Sequence, residues 1–147
     1  MNALRVILLV LGLNAVVWLL ILVWFRYKLK ALALSLNASC ASTGECLVIG
    51  PERGYCNIMK GRVSLKTKGI IALTDRRLIF KGPLGMNSDI LLDQIAEVSR
   101  NKWWQGNYRN GREFLILRLK DGKEIAFQVK SPDRWEQAIQ SSVTSRQ

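Results

Sequence analysis

The chain has no histidine, only three cysteines and three prolines, and half as many Asp and Glu (11) as Lys and Arg (22). Without histidine it lacks the side chain that most often serves as general base or neutral metal ligand near pH 7. Cys40, Cys46 and Cys56 are odd in number and widely spaced, so they define no disulfide framework, and a zinc site built on them would need a fourth ligand. No glycine-rich phosphate loop is present, and Asp75, Asp89, Asp93, Asp121 and Asp133 are accounted for by turns and caps. These absences exclude the common hydrolytic and metal-dependent chemistries. The expectation is a non-enzymatic protein with no metal, no cofactor and no small-molecule substrate.

Carboxylates are also missing from the first 44 residues, where Arg5, Gly12 and Asn14 alone interrupt the apolar run from Leu4 to Phe25. About 20 apolar residues in a helix cross a hydrocarbon core of about 30 Å, so 4–25 is read as a transmembrane helix. The run is too long for a cleaved signal sequence. It ends in Trp24, Phe25, Arg26, Tyr27, Lys28, Leu29 and Lys30, an aromatic belt followed by cations. Trp24, Arg26, Lys28 and Lys30 form the membrane flank. Their excess over Arg5 predicts an outside N-terminus and a cytoplasmic C-terminal domain on a single-pass protein of a bacterial inner (plasma) membrane. Asn14 would suit a contact with another helix. Residues 26–43 read as a basic juxtamembrane segment and linker, and 44–147 as one folded domain.

That domain is a succession of short β segments broken by turn residues. Leu47-Val48-Ile49 meets Gly50-Pro51, Arg62–Lys68 alternates, and Gly69–Leu73 faces Leu78–Phe80 across Thr74-Asp75-Arg76-Arg77; Asp89–Leu92 precedes Ile95–Arg100. The clearest hairpin joins Phe114–Lys120 to Glu124–Lys130 through Asp121-Gly122-Lys123. Alternation points Leu115, Leu117 and Leu119 inward against Ile125, Phe127 and Val129, with Arg118, Lys120, Gln128 and Lys130 outward. Ser131 as N-cap and Pro132 at the first helical position open a final helix carrying Trp135, Ala138 and Ile139 on one face. The expected fold is mainly β: a barrel or sandwich of about seven antiparallel strands with one C-terminal capping helix, preceded by a single transmembrane α-helix.

Two stretches carry a family likeness. Lys68-Gly69-Ile70-Ile71-Ala72-Leu73-Thr74-Asp75-Arg76-Arg77-Leu78-Ile79-Phe80 with Ile90–Val98, and Leu117–Glu124 with Trp135, resemble the GRAM-like and bacterial pleckstrin-homology-like domains, over about Gly44 to Val143. The resemblance implies a pleckstrin-homology-like fold and a membrane-proximal module that binds lipids or proteins, without fixing the ligand. The sequence shows no clear equivalent of a dedicated inositol-phosphate motif.

Two groups of residues are candidate contacts. All 11 carboxylates lie beyond Thr43, against 18 of the cations (the other four being Arg5, Arg26, Lys28 and Lys30), so the domain is basic by +7 and favours an anionic neighbour such as the inner leaflet. Lys60, Arg62, Lys66 and Lys68 share one face if Lys60–Lys68 is one strand, with Arg76, Arg77 and Lys81 adding to the field. The run Arg100–Arg112 sets Trp103, Trp104 and Tyr108 beside Arg109 and Arg112, a composition suited to the headgroup layer or a protein partner, or to closing a barrel end. The expected partners are anionic membrane lipids or a membrane-associated protein. A homo-oligomer or scaffold of a membrane complex is the alternative, and the anchor argues against nucleic acid despite the basic composition.

Overall fold

No proline and a single glycine lie between Ala3 and Thr43, and leucine and alanine dominate, so the stretch forms one continuous helix, α1 (Ala3–Thr43). The computed structural model describes residues 3–60, 63–108 and 111–145. At about 1.5 Å per residue α1 is roughly 60 Å long, and its N-terminal part is the one described helix apolar and long enough to cross a membrane. The helix does not stop at Phe25. The segment 26–43, expected as a linker, is helical and ends where Gly44 adopts φ +67°, the left-handed conformation that terminates helices.

Nine strands follow among the described residues: β1 (Leu47–Lys60), β2 (Val63–Thr74), β3 (Arg77–Lys81), β4 (Asn87–Leu91), β5 (Ile95–Asn101), β6 (Trp103–Trp104), β7 (Asn107–Tyr108), β8 (Phe114–Leu119) and β9 (Glu124–Gln128), and then α2 (Pro132–Thr144). Seven form one antiparallel sheet in the order β4-β3-β2-β1-β9-β8-β5, while β6 and β7 make a separate hairpin. The expected seven strands and C-terminal helix are therefore present, but the sheet is not a closed barrel. Its edges β4 and β5 are joined through the short turn Leu92–Gln94 without pairing, and α2 packs against β5, β8 and that turn.

Ile71, Leu73, Leu78, Phe80, Leu115, Leu117, Ile125 and Phe127 fill the concave side around Trp135 and Ile139 of α2, as alternation predicts for β8 and β9. Ser131 precedes α2 as expected, although its hydroxyl makes no capping bond. Trp135 is fixed by a 2.8 Å hydrogen bond from its indole N–H to Glu52. Gly50-Pro51 does not end a strand; β1 passes through it with a register irregularity. At Gly50, φ is +89° and a Cβ would meet the Ile71 carbonyl oxygen at 2.7 Å, so only glycine fits this close approach.

The β2–β3 pair is buried on both faces. Ile71, Leu73, Leu78 and Phe80 point to the main core, while Ile70, Ala72 and Ile79 point outward into a second cluster with Leu29, Leu36 and Cys40, flanked by Phe25, Leu32 and Ala33. Residues 25, 29, 32, 33, 36 and 40 recur at helical spacing, so the C-terminal half of α1 lays one stripe along the sheet.

Burial sorts the three free thiols. Cys46 is exposed, while burial raises the Cys40 thiol and pushes Cys56 up from 9.0 to about 12. A pKa raised on folding stabilises the fold below the unfolded pKa, and that stability is lost as pH climbs from about 9 toward 12. Unfolding free energies from urea titrations should therefore fall across that window by up to about 1.4 kcal/mol per pH unit more in the native sequence than in Cys56→Val, which lacks the titrating thiol. Parallel slopes for the two proteins would contradict this. In the folded chain iodoacetamide should reach Cys46 alone.

Candidate functional site

The joint between α1 and the sheet is tied by charge. Glu45, whose side chain is only 7% exposed, receives Arg77 from β3 through two contacts of 3.1 Å, and Arg77 also pairs with Asp89 of β4 at 2.7 Å. The hydrogen bond to Glu45 raises the guanidinium pKa further. One residue on, Cys46 N–H donates to the Asp75 carboxylate, and Asp75 N–H returns to the Cys46 carbonyl. Helix terminus and β2–β3 turn are thus clamped together.

From that clamp β1 runs back alongside α1. The helix spans about 28 Å between Phe25 and Gly44, and β1 covers about 26 Å between Leu47 and Tyr55, which brings Tyr55 level with Phe25. The contacts agree. Lys68, the register partner of Tyr55, places its ammonium 5.7 Å from the Phe25 ring centroid and 6.0 Å from that of Tyr55. Lys66 sits over the same tyrosine at 4.0 Å, and Lys28 over Trp24 at 5.5 Å. Tyr55 thus receives two ammonium groups on the convex face of the sheet, beside the end of the apolar helical segment.

The candidate residues do not form one patch. Lys66 and Lys68 stand together as expected. Lys60 ends β1 and Val63 opens β2, so the run read as a single strand belongs to two. Arg62 and Arg109 lie outside the described residues, as does the side chain of Lys60. Arg77 is a structural clamp rather than a free surface cation. Arg76 is exposed beside it in the β2–β3 turn, far from Phe25, and Lys81 is half-buried at the end of β3.

The adjacent tryptophans separate by strand alternation. Trp104 is buried on the convex face against Phe114, Ile116 and Ala126, its indole N–H without an acceptor among the described residues. Trp103 is exposed and stacks on Tyr108 at 4.8 Å, across a turn whose Gln105 and Gly106 both have positive φ. Arg100, the first residue of the same run, is held by Glu113, Asp133 and Glu136 and ties β5 to α2.

Two clefts open on the convex face. One, about 390 Å³, lies between α1 and the sheet and is lined by Arg26, Tyr27, Leu29, Lys30, Ala33, Pro51, Arg53 and Ile70. The other, about 690 Å³, lies between the sheet and the loop before β8, where Arg53, Arg112 and Lys130 surround Tyr55 and Gln128. Arg53 borders both. Sequence reasoning passed over it, because nothing local distinguishes an Arg between Glu52 and Gly54; only the return of β1 along α1 brings it to Arg26 and Lys30.

A seven-stranded antiparallel sheet capped by one C-terminal helix defines the class of this domain. Among solved structures, the C-terminal domain of an unknown protein from Leishmania infantum superposes with a TM-score of 0.56 at 18% identity, covering 75% of this chain and 95% of that one. The N-terminal PH domain of Vps36 superposes with a TM-score of 0.52 at 20% identity, covering 71% and 83%. The domain has a pleckstrin-homology-like fold, as the sequence resemblance implied. No family model and no curated relative matches the chain.

Proposed function

We propose that this protein is a single-pass, membrane-anchored, non-enzymatic binding module whose pleckstrin-homology-like domain sits on the cytoplasmic surface and contacts anionic lipid headgroups. The apolar part of α1 spans the bilayer of a bacterial inner membrane, its N-terminus outside. The observation that carries this reading is Lys68 over Phe25: the sheet's cations stand at the level where the apolar run gives way to Arg26, Lys28 and Lys30. Each cation at an anionic surface contributes on the order of 1 kcal/mol, weakened by salt. Because the second half of α1 is docked on the sheet, the domain meets the membrane in one orientation.

Hydrogen exchange of the full chain in nanodiscs tests this. The β1–β2 residues Tyr55–Lys68 should be more protected in anionic than in zwitterionic discs at low salt, and the difference should vanish at high salt or in Lys66→Ser/Lys68→Ser. Equal protection in both discs would remove the lipid reading. A second reading, docking of a membrane-associated protein, is favoured by the exposed Trp103–Tyr108 stack, since paired aromatics are preferred anchors at protein interfaces.

A further inference from the structure

We propose that the cleft between α1 and β1 is a specific site for the phosphate of an anionic membrane phospholipid, gripped by Arg26 and Lys30 from the helix and Arg53 from the sheet. The inference rests on the membrane reading above and goes beyond it by assigning a stoichiometric site, half of which is supplied by the helix rather than by the pleckstrin-homology-like fold.

Three observations converge on it. The first is charge without compensation. Arg77, Arg100, Arg118 and Lys123 are all paired with carboxylates, whereas, among the described residues, Arg26, Lys30 and Arg53 have no ion pair and no Asp or Glu lines this cleft. The nearest acidic residue in sequence, Glu52, is already committed to Trp135 N–H and the Lys130 backbone N–H. Three converging cations without a counter-ion suit a phosphate, which takes several charge-assisted hydrogen bonds at once.

The second is the floor. Leu29, Ala33 and Ile70 give the cleft an apolar base, and the cleft begins at Arg26, directly after the exposed apolar surface of α1. A phospholipid matches that sequence of surfaces, with acyl chains along the helix and phosphate among the cations; a free phosphate would use only the cations. The third is room. At about 390 Å³ the cleft falls in the range of small-ligand sites, roughly 300–1,000 Å³, and Arg53 continues it into the wider cleft with Arg112 and Lys130, where the rest of a headgroup can extend; the one carboxylate lining that wider cleft among the described residues, Glu113, is paired with Arg100.

The test is native mass spectrometry of the full chain released from nanodiscs of mixed phosphatidylglycerol and phosphatidylcholine. The expected result is preferential retention of phosphatidylglycerol that inorganic phosphate does not displace. In Arg53→Ser retention falls about tenfold, the scale of one charge-assisted contact. Arg53→Lys keeps part of it as a point charge, and Lys120→Ser, remote from the cleft, keeps all of it. Equal retention of both lipids, displacement by phosphate, or unchanged retention in Arg53→Ser would overturn the site. If the β1–β2 protection in anionic discs persists when the site fails, the broader membrane reading stands; if that protection is absent from the native chain, the membrane reading fails first.

Discussion

In the Leu36→Ala chain the pleckstrin-homology-like domain should lose about 2–5 kcal/mol of stability, although Leu36 lies outside the segment first read as folded. Its side chain is fully buried between α1 and the convex face, within the cluster of Leu29, Cys40, Ile70, Ala72 and Ile79. Leu34, two residues earlier, is 62% exposed on the other side of the helix, and Leu34→Ala should stay within about 0.5 kcal/mol of the native chain. Pulse proteolysis of the full chain across a urea series in mild detergent compares the two directly. If both variants unfold at the same concentration, the docked half of α1 contributes nothing to the domain. The same packing predicts that a fragment beginning at Gly44 exposes Ile70, Ala72 and Ile79 together and aggregates. Binding measurements therefore call for the full chain.

How far the sequence revealed this arrangement differs from element to element. The β8–β9 hairpin was legible residue by residue because one face is buried and the other wet, so alternation alone assigned Leu115, Leu117, Ile125 and Phe127. In β2 and β3 the signal was present in another form. Ile70-Ile71-Ala72-Leu73 and Leu78-Ile79-Phe80 are continuous apolar runs, the pattern of strands covered on both sides. Such runs require a second covering layer, and Leu29, Leu32, Leu36 and Cys40 carry the helical period that supplies it. That period was masked by Ala31 and Leu34, apolar residues on the exposed side of the helix.

The candidate site was legible by composition but not by partner. Lys66 and Lys68 were found because alternation within one strand places them together. Arg76 and Arg77 are neighbours of identical chemistry, and only a contact across 32 residues tells them apart. Arg53 was invisible for the same reason: the cations beside it in the cleft, Arg26 and Lys30, come from α1, more than 20 positions earlier. The two tryptophans were separable in principle, since a two-residue strand puts one side chain on each face, but the Gln105-Gly106 turn that makes them a strand is a weaker signal than Asp-Gly or Asn-Gly.

Arg77→Ala should be as damaging as a core substitution and leave lipid contact intact. Glu45 keeps a carboxylate that is 7% exposed at its side chain, and Arg77, itself 23% exposed, is its ion-pair partner. Removing one member of a largely buried pair leaves the other charged and undersolvated, a cost of about 3 kcal/mol for this partly open geometry. Asp89 adds little, since half of its side chain is in solvent. Glu45→Gln in the Arg77→Ala background should recover part of the loss, because the stranded charge is gone, and the double-mutant cycle isolates the coupling of the pair. Arg76→Ala, one residue away and exposed, should cost no more than about 0.5 kcal/mol. The clamp lies at the far end of the docked helix from Phe25 and Arg53, so phosphatidylglycerol retention by folded Arg77→Ala should equal that of the native chain. Loss of lipid retention with unchanged stability would reverse the assignment and return Arg77 to the binding surface.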